Sequence, residues 1–442
     1  MVKPIYFTNK IKDFNKKIFV DGDKSLSIRW ALMASMALGK SRAYNLLKSK
    51  DVLRTMASLK KLGIKTRYNK KYHEINGNGL NGYIYKKNLT INAGNSGTLG
   101  RLILALLINS PRKIKLIGDK SLSKRDFSRV IQPLKKFGAS FYPNNKTTLP
   151  ISIKGKNLIR PIKYFENKGS AQCKSSVLLA ALNASGKTFI KAKKSRDHTE
   201  ILFKNLKIPI KVKQTKNYDY IEVEGKKNFK ALNYNIPGDI SSSAFFIVLT
   251  LLSEKSYLII KNVNINPSRT GIITILNKMG AQIIFKNKKF YKGERIADIS
   301  VKSIKKLNSI NCPTKLNSSA IDEFLIIFLV AAKARGVSYF KNLEELNQKE
   351  SKRLDWGSKI LNMIGIKTEL TNHSIKIYGN PNLNLYKNYE VKNYLRDHRI
   401  MAMTTVAALT LGGKWKINDP DSINTSFPSF LKIIKNLGGK IN

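Results

Sequence analysis

Acidic residues are scarce in this chain. Against 81 Lys and Arg stand 28 Asp and Glu in 442 residues, a formal charge of +53. Cysteine is scarcer still, with Cys173 and Cys312 alone. Two thiols cannot build a disulfide framework and have no zinc spacing, so a reducing cytoplasm is the expected setting. The four histidines, His73, His198, His373 and His398, are scattered, and no metal site is expected of them. Long apolar runs are lacking. The longest cover 244–252 and 324–332, far short of the roughly 20 residues of a membrane span. Residues 1–20 alternate lysine with apolar residues and show no signal-peptide core. The nucleophile elbow, the P-loop order and the dinucleotide fingerprint are all missing, which points to chemistry without cofactors. Lys, Arg, Asp and Glu are what remains to do the work.

The chain is 42% hydrophobic and 9% aromatic, enough for a well-buried core in two or more domains. Its charge suggests nucleic acid at first sight. The lysines, however, run evenly along the whole chain rather than gathering in one segment. A nucleic-acid partner is therefore not expected, although a positive field would favour small anionic substrates.

A pattern recurs in which a helical stretch ends on an apolar residue and glycine, then enters a strand-like run. It occurs at Lys61-Leu62-Gly63-Ile64, Lys136-Phe137-Gly138-Ala139, Lys278-Met279-Gly280-Ala281, Met363-Ile364-Gly365-Ile366 and Asn436-Leu437-Gly438-Gly439. Asn205-Leu206-Lys207-Ile208 keeps the pattern without the glycine. Glycine in this place caps a helix in the left-handed conformation. The spacing averages about 74 residues, which divides the chain into six units. Each unit holds an earlier helix candidate, beginning near Ser25, Ser96, Ser170, Ser241, Ser318 and Asp397. Strand candidates at 114–117, 188–192, 257–260 and 337–340 lie between them. The fold class is therefore α/β, with six βαβαββ-like units in two domains of three. Breaks are expected at Asp21-Gly22-Asp23 and Pro237-Gly238-Asp239, giving domains of 23–238 and of 1–22 plus 239–442. That division pairs the N-terminal strand with the C-terminal half.

Several helix starts carry groups suited to anions. Asn95-Ser96-Gly97-Thr98 opens an apolar helix, with Arg101 one turn on. Asp23-Lys24-Ser25-Leu26-Ser27-Ile28-Arg29 sets Lys24, Ser25 and Arg29 at another helix start. Ser170-Ala171-Gln172-Cys173-Lys174-Ser175 opens a third. Ser195-Arg196-Asp197-His198-Thr199-Glu200 has the form of a capping box. The rare acids Asp322 and Glu323 precede the apolar run at 324–332, and Glu350 lies in Lys349-Glu350-Ser351-Lys352-Arg353. There Lys349 and Arg353 are i,i+4, on one face if the segment is helical. Arg396-Asp397-His398-Arg399 opens the apolar stretch 401–411. Each motif alone is equally a helix cap or a solvated charged face. Carboxylates set among so many cations suggest proton transfer beside a phosphorylated ligand.

Together, in this order and spacing, these motifs resemble those of the 5-enolpyruvylshikimate-3-phosphate synthase (3-phosphoshikimate 1-carboxyvinyltransferase) family, from about Lys24 to Phe427. The resemblance implies an enolpyruvyl transferase fold: two domains, each of three βαβαββ repeats around a pseudo-threefold axis, with the active site in the interdomain cleft. It implies transfer of the enolpyruvyl group of phosphoenolpyruvate to the 5-hydroxyl of shikimate 3-phosphate by addition–elimination, releasing phosphate (EC 2.5.1.19). That reaction belongs to the shikimate pathway to chorismate and aromatic amino acids. It implies a cytoplasmic monomer with no cofactor, metal, nucleic-acid or membrane partner. Carried over by motif, Lys24 meets both substrates. Ser25, Arg29, Ser170, Ala171, Gln172, Arg196, Asp322 and Lys349 meet shikimate 3-phosphate. Gly97, Arg125, Gln172, Arg353 and Arg399 meet phosphoenolpyruvate. Asp322 matches the acceptor of the hydroxyl proton, and Glu350 the acid that protonates the methylene carbon.

The chain departs from the family pattern in places. Asp126 stands where proline is usual, and Asn347 and Lys352 where arginine and aspartate are frequent. Thr425, in Asn424-Thr425-Ser426-Phe427-Pro428, stands where many members carry lysine. Thr-Ser-Phe-Pro, with Ser-Ala-Gln and Ser-Arg-Asp-His, resembles the second bacterial subclass. The related transferase acting on UDP-N-acetylglucosamine carries a reactive cysteine in a glycine-rich loop, and neither cysteine here lies in one.

Overall fold

The structure is a computed structural model that describes residues 3–442. Thirteen α-helices are formed among them. They are α1 (Lys24–Met36), α2 (Lys50–Lys61), α3 (Gly97–Leu106), α4 (Ser128–Phe137), α5 (Ala171–Ala181), α6 (His198–Asn205), α7 (Ile240–Leu252), α8 (Gly271–Lys278), α9 (Asn317–Ala320), α10 (Phe324–Lys333), α11 (Arg353–Met363), α12 (His398–Leu411) and α13 (Phe430–Asn436). The chain divides into two compact units. Unit I comprises Gly22–Ile236 and Tyr291–Glu294, and unit II comprises residues up to Asp21, Pro237–Phe290 and Arg295–Asn442.

The repeat is plainest in the middle of unit I. Thr90–Asn92 pairs in parallel with Ile114–Ile117, which pairs antiparallel with Ile151–Lys154, which pairs with Ser140–Tyr142. With α3 and α4 between the strands, the chain order is βαβαββ. The next repeat builds the same sheet from Lys163–Glu166, Lys187–Lys193, Tyr218–Glu224 and Ile210–Gln214. The first repeat takes its parallel edge strand from Tyr234–Asn235, at the far end of the unit. Unit II does the same across the termini. Asn15–Ile18 lies parallel to Tyr257–Asn264, and Ile5–Phe7 antiparallel to Gly412–Ile417. The N-terminal strands thus belong to the C-terminal half.

The two helices of a repeat differ in kind. The first is buried almost throughout, and in unit II it is also largely apolar. Every residue of α12 is buried, as is α7 from Ile240 to Leu251. The second is amphipathic: α4 buries Val130, Ile131, Leu134 and Phe137 and turns Lys135 and Lys136 outward. In unit I, α3 packs on α1 and α5; in unit II, α7, α10 and α12 pack on one another. The sheets cover these helices. Lys187–Lys193 alternates exposed and buried residues along its length, so its lysines sit on the wet face. Much of the chain's charge is disposed of in this way.

All five repeat glycines adopt positive φ: Gly63, Gly138, Gly280, Gly365 and Gly438, at 82–118°. The sixth position, Lys207, is held at φ 57° without the freedom of glycine. One helix start differs from the sequence reading. The segment from Ser318 is only the short α9, and the chain breaks at 321–323 before α10 begins at Phe324. Asp322 lies in that break. Asp23 and Asp239, rather than the serines after them, cap α1 and α7.

The left-handed conformation costs a residue with a Cβ roughly 1 kcal/mol. Lys207→Gly is expected to stabilise the protein by about 0.5–1 kcal/mol in chemical denaturation. Gly365→Ala, whose Cβ would meet nothing within 4 Å, is expected to destabilise it by about 1 kcal/mol through backbone strain alone.

Candidate active site

In unit I the expected residues gather at helix N-termini. Ser96 caps α3, its hydroxyl accepting from Leu99 N at 3.2 Å. Gly97 opens the helix. An ideal Cβ on Gly97 would come within 2.8 Å of Arg101 Nη1 and 2.9 Å of Arg125 Nη1. Two guanidinium groups therefore converge on the edge of one glycine. Arg101 donates to Gln172 Oε1 at 2.9 Å and to the Asp126 carbonyl at 3.1 Å, and it lies over the Phe127 ring. Burial, and after it the like charge of Arg125, pulls the Arg101 guanidinium down to about 10. Gln172 Nε2 in turn donates to Thr98 Oγ1 at 3.0 Å, which fixes the orientation of that amide. Arg125 Nε and Nη1 are buried and find no acceptor among the described residues. Buried donors with no acceptor are costly. Two facing cations with spare donors at a helix N-terminus make a site for an anion.

The other unit I groups lie on α1, α5 and α6. Lys24 Nζ is 3.3 Å from Asp51 Oδ2. Arg29 is nearly buried, donating to Thr199 Oγ1 and Ser175 Oγ, each at 2.9 Å, and to the Ser25 carbonyl at 3.2 Å. Ser170 caps α5, its hydroxyl accepting from Cys173 N at 3.3 Å, and Ala171 and Gln172 follow in the first turn. Arg196 is half-buried in the turn before α6. The capping box expected at 195–200 does not form. Helix α6 starts two residues later than a cap at Ser195 requires, with Asp197 at the cap position and no side-chain cap bond. Glu200 turns inward to Lys174 at 2.7 Å, and His198 Nδ1 to Glu294 Oε1 at 2.6 Å. Asp126, in the place of the usual proline, holds the start of α4 through Ser128 N at 3.0 Å.

In unit II, Arg353 is the centre. Its side chain is 1% exposed and touches three carboxylates. Nε and Nη2 grip Asp397 at 2.9 and 3.2 Å, Nη1 reaches Asp322 Oδ1 at 3.4 Å, and Nη2 also pairs with Glu350. Burial opposes its charge, but Asp397, Glu350 and Asp322 outweigh burial and raise its pKa. Lys349 Nζ lies 3.3 Å from the same Asp322 oxygen. Arg399 donates to the Asp322 carbonyl and sits 3.6 Å from Glu323 Oε1. Glu323 turns into the interior, where the Ser241 hydroxyl donates to it. Of the two neighbouring acids, Asp322 alone is set among the cations of the Lys349–Arg353 segment.

One local expectation fails here. Residues 349–352 are not helical, since α11 begins at Arg353, so Lys349 and Arg353 do not share a helical face. The Arg353–Asp397 clasp and the contacts of Lys349 and Arg353 with Asp322 bring them together instead. Thr425, in the usual place of lysine, donates to the Ser422 carbonyl at 2.8 Å and lies 3.5 Å from His398 Nδ1. Three residues left without a role by sequence reasoning emerge here: Arg101, Asp397 and Asp51. Each is a charged residue at or beside a helix start, and two of them belong to the scarce acids. Among the described residues no group of three His, Cys, Asp or Glu is placed to hold a metal ion. Nor is any helix long and apolar enough to cross a membrane.

Comparison with known proteins identifies the family. The family profile described as EPSP synthase (3-phosphoshikimate 1-carboxyvinyltransferase) matches residues 8–434. A 3-phosphoshikimate 1-carboxyvinyltransferase of Ruthia magnifica is 39% identical over 444 residues, covering 100% of this chain and 98% of the relative. One from Zymomonas mobilis is 35% identical over 449 residues, covering 100% and 98%. The solved EPSP synthase of Acinetobacter baumannii superposes with a TM-score of 0.86 at 32% identity, covering 100% of this chain and 99% of that one. The enolpyruvyl transferase NikO of Streptomyces tendae, at 13% identity and a TM-score of 0.78, shares the fold. With its full length matched in sequence and in structure, this chain belongs to the EPSP synthase (3-phosphoshikimate 1-carboxyvinyltransferase) family.

Proposed function

We propose that this chain transfers the enolpyruvyl group of phosphoenolpyruvate to the 5-hydroxyl of shikimate 3-phosphate. The observation that carries the reading is the pair Arg101 and Arg125 beside Gly97, where Arg125 keeps two buried donors without an acceptor. Family membership gives that anion site its substrates.

The reaction sets the requirements. Both substrates are polyanions, and holding them in contact needs fixed cations that need not reorganise as the reaction proceeds. Arg125, Gly97, Arg353 and Arg399 take phosphoenolpyruvate. Lys24, Ser25, Arg29, Ser170, Ala171, Gln172, Arg196 and Lys349 take shikimate 3-phosphate, with Lys24 and Gln172 reaching both. Asp322 accepts the proton of the 5-hydroxyl as its oxygen attacks C2 of phosphoenolpyruvate, and Glu350 delivers a proton to C3. The tetrahedral adduct then loses phosphate and a C3 proton, restoring the double bond. Asp397 and Arg101 touch no reacting atom in this scheme: Asp397 orients Arg353, and Arg101 orients Gln172.

The rival chemistry through a cysteine finds no support in the thiols. Both are buried. Burial raises the pKa of Cys173 and pushes that of Cys312 up to about 11, which suppresses the nucleophilic thiolate. A cytoplasmic monomer fits the reading.

Purified protein mixed with the two substrates is expected to release inorganic phosphate. Lys24→Met and Glu350→Ala are each expected to lower turnover by roughly 10²-fold or more with the melting temperature little changed. Near-normal rates in both variants would sink these roles, and salt-sensitive retardation of DNA without phosphate release would sink the function. Gly97→Ala places a methyl group against two guanidinium ends. Its KM for phosphoenolpyruvate is expected to rise about tenfold, with that for shikimate 3-phosphate little changed. Equal shifts in both constants would count against Gly97 as a wall of the phosphoenolpyruvate site.

A further inference from the structure

Two buried polar contacts join α5 to α6, and the catalytic scheme uses neither. Lys174 Nζ lies 2.7 Å from Glu200 Oε1, with side chains 0% and 5% exposed. One residue on in α5 and one back in α6, Thr199 Oγ1 donates to Ser175 Oγ at 2.8 Å. Arg29 from α1 closes the group by donating to both of these hydroxyls.

Burying an ammonium inside a helix is costly, and stability alone does not account for it. A well-packed apolar pair in the same volume is commonly as stable as a buried ion pair or more so. The pair is also incompletely satisfied: the contact is an ion pair without hydrogen-bond geometry, and neither Lys174 Nζ nor Glu200 Oε2 has a hydrogen-bond partner among the described residues. What the ion pair adds is direction. A short charge-assisted contact fixes the position of one helix along another, whereas apolar packing is non-directional. The elements so fixed are those that present Ser170, Ala171 and Gln172 at the start of α5, Arg196 just before α6, and Arg29 through Ser175 and Thr199.

We infer that Lys174 and Glu200 are positioning residues for the shikimate 3-phosphate half of the site. They lie out of reach of substrate, set the register of α5 against α6, and so aim the groups that hold that ligand. The inference rests on the function proposed above. It demands an asymmetry: of the groups assigned to phosphoenolpyruvate only Gln172 lies on α5, and its amide is held from α3 by Arg101 and Thr98, while Lys24, Gly97, Arg125, Arg353 and Arg399 lie on other elements, so binding of phosphoenolpyruvate depends far less on this register.

The test uses the full chain with Lys174→Met and Glu200→Leu together. This keeps the volume and leaves no unpaired charge, whereas Glu200→Gln alone would strand the ammonium and endanger folding. The double variant is expected to melt at or above the wild-type temperature. Its KM for shikimate 3-phosphate is expected to rise roughly tenfold or more, with KM for phosphoenolpyruvate and kcat within about twofold. Lys174→Arg, which keeps the pair, is expected to hold both KM values within about threefold of wild type. A double variant with wild-type KM for shikimate 3-phosphate, or with both KM values raised alike, overturns the inference while leaving the function standing. A wild-type protein that releases no phosphate overturns the function itself.

Discussion

A helix buried on every face has only its ends to offer to a ligand. That constraint organises this protein. The first helix of each repeat is buried almost throughout and packs at the centre of its unit. Its sides are consumed by the core, and its N-terminal N–H groups and dipole remain as the surface on which chemistry can act. Lys24, Gly97, Ser170, Asp322 and Arg399 all stand within two residues of the start of such a helix. Arg353 does the same on α11. The chain repeats one solution in each unit.

Cations are plentiful, so selectivity lies with the few acids. Asp397 caps α12 through Arg399 N at 2.9 Å and at the same time clasps Arg353. One carboxylate thus sets both a helix end and a guanidinium. Asp51 holds Lys24, and Glu323 ties the break before α10 to Ser241, leaving Asp322 among cations. Many lysines, by contrast, lie on the wet faces of sheets, on the outer sides of the second helices and in turns. Position distinguishes the working cations from the solvated ones. Arg353 is buried among carboxylates, and Arg125 keeps buried donors without acceptors.

Much of this was legible before any coordinates. The glycine after each second helix marked the repeat, because a left-handed helix end needs glycine, and the spacing revealed the sixth position even where Lys207 replaces it. Apolar runs at 244–252 and 324–332, too short for a membrane span, prove to be buried helices, since no amphipathic surface helix is apolar on every side. The motifs at the helix starts named most of the residues of the candidate site. What was misread was local and polar. Ser195 to Glu200 has the letters of a capping box, but Glu200 answers the buried Lys174 in place of its own helix end. Lys349 and Arg353 have helical spacing, but the helix begins only at Arg353. Arg101 was counted as part of a motif, and its grip on Gln172 emerged only when α3 and α5 were brought side by side.

The sequence by itself determined the repeat, the α/β class, the apolar helices and the family, because these follow from periodicity and from residues close together in the chain. Only the tertiary structure decided which charges meet. Asp397 lies 44 residues from Arg353, and Gln172 lies 71 from Arg101. No local pattern encodes such partners, because side chains that distant in sequence are neighbours only once the helices have packed. Packing also decides which polar groups must satisfy one another in the interior and which are left to meet a ligand.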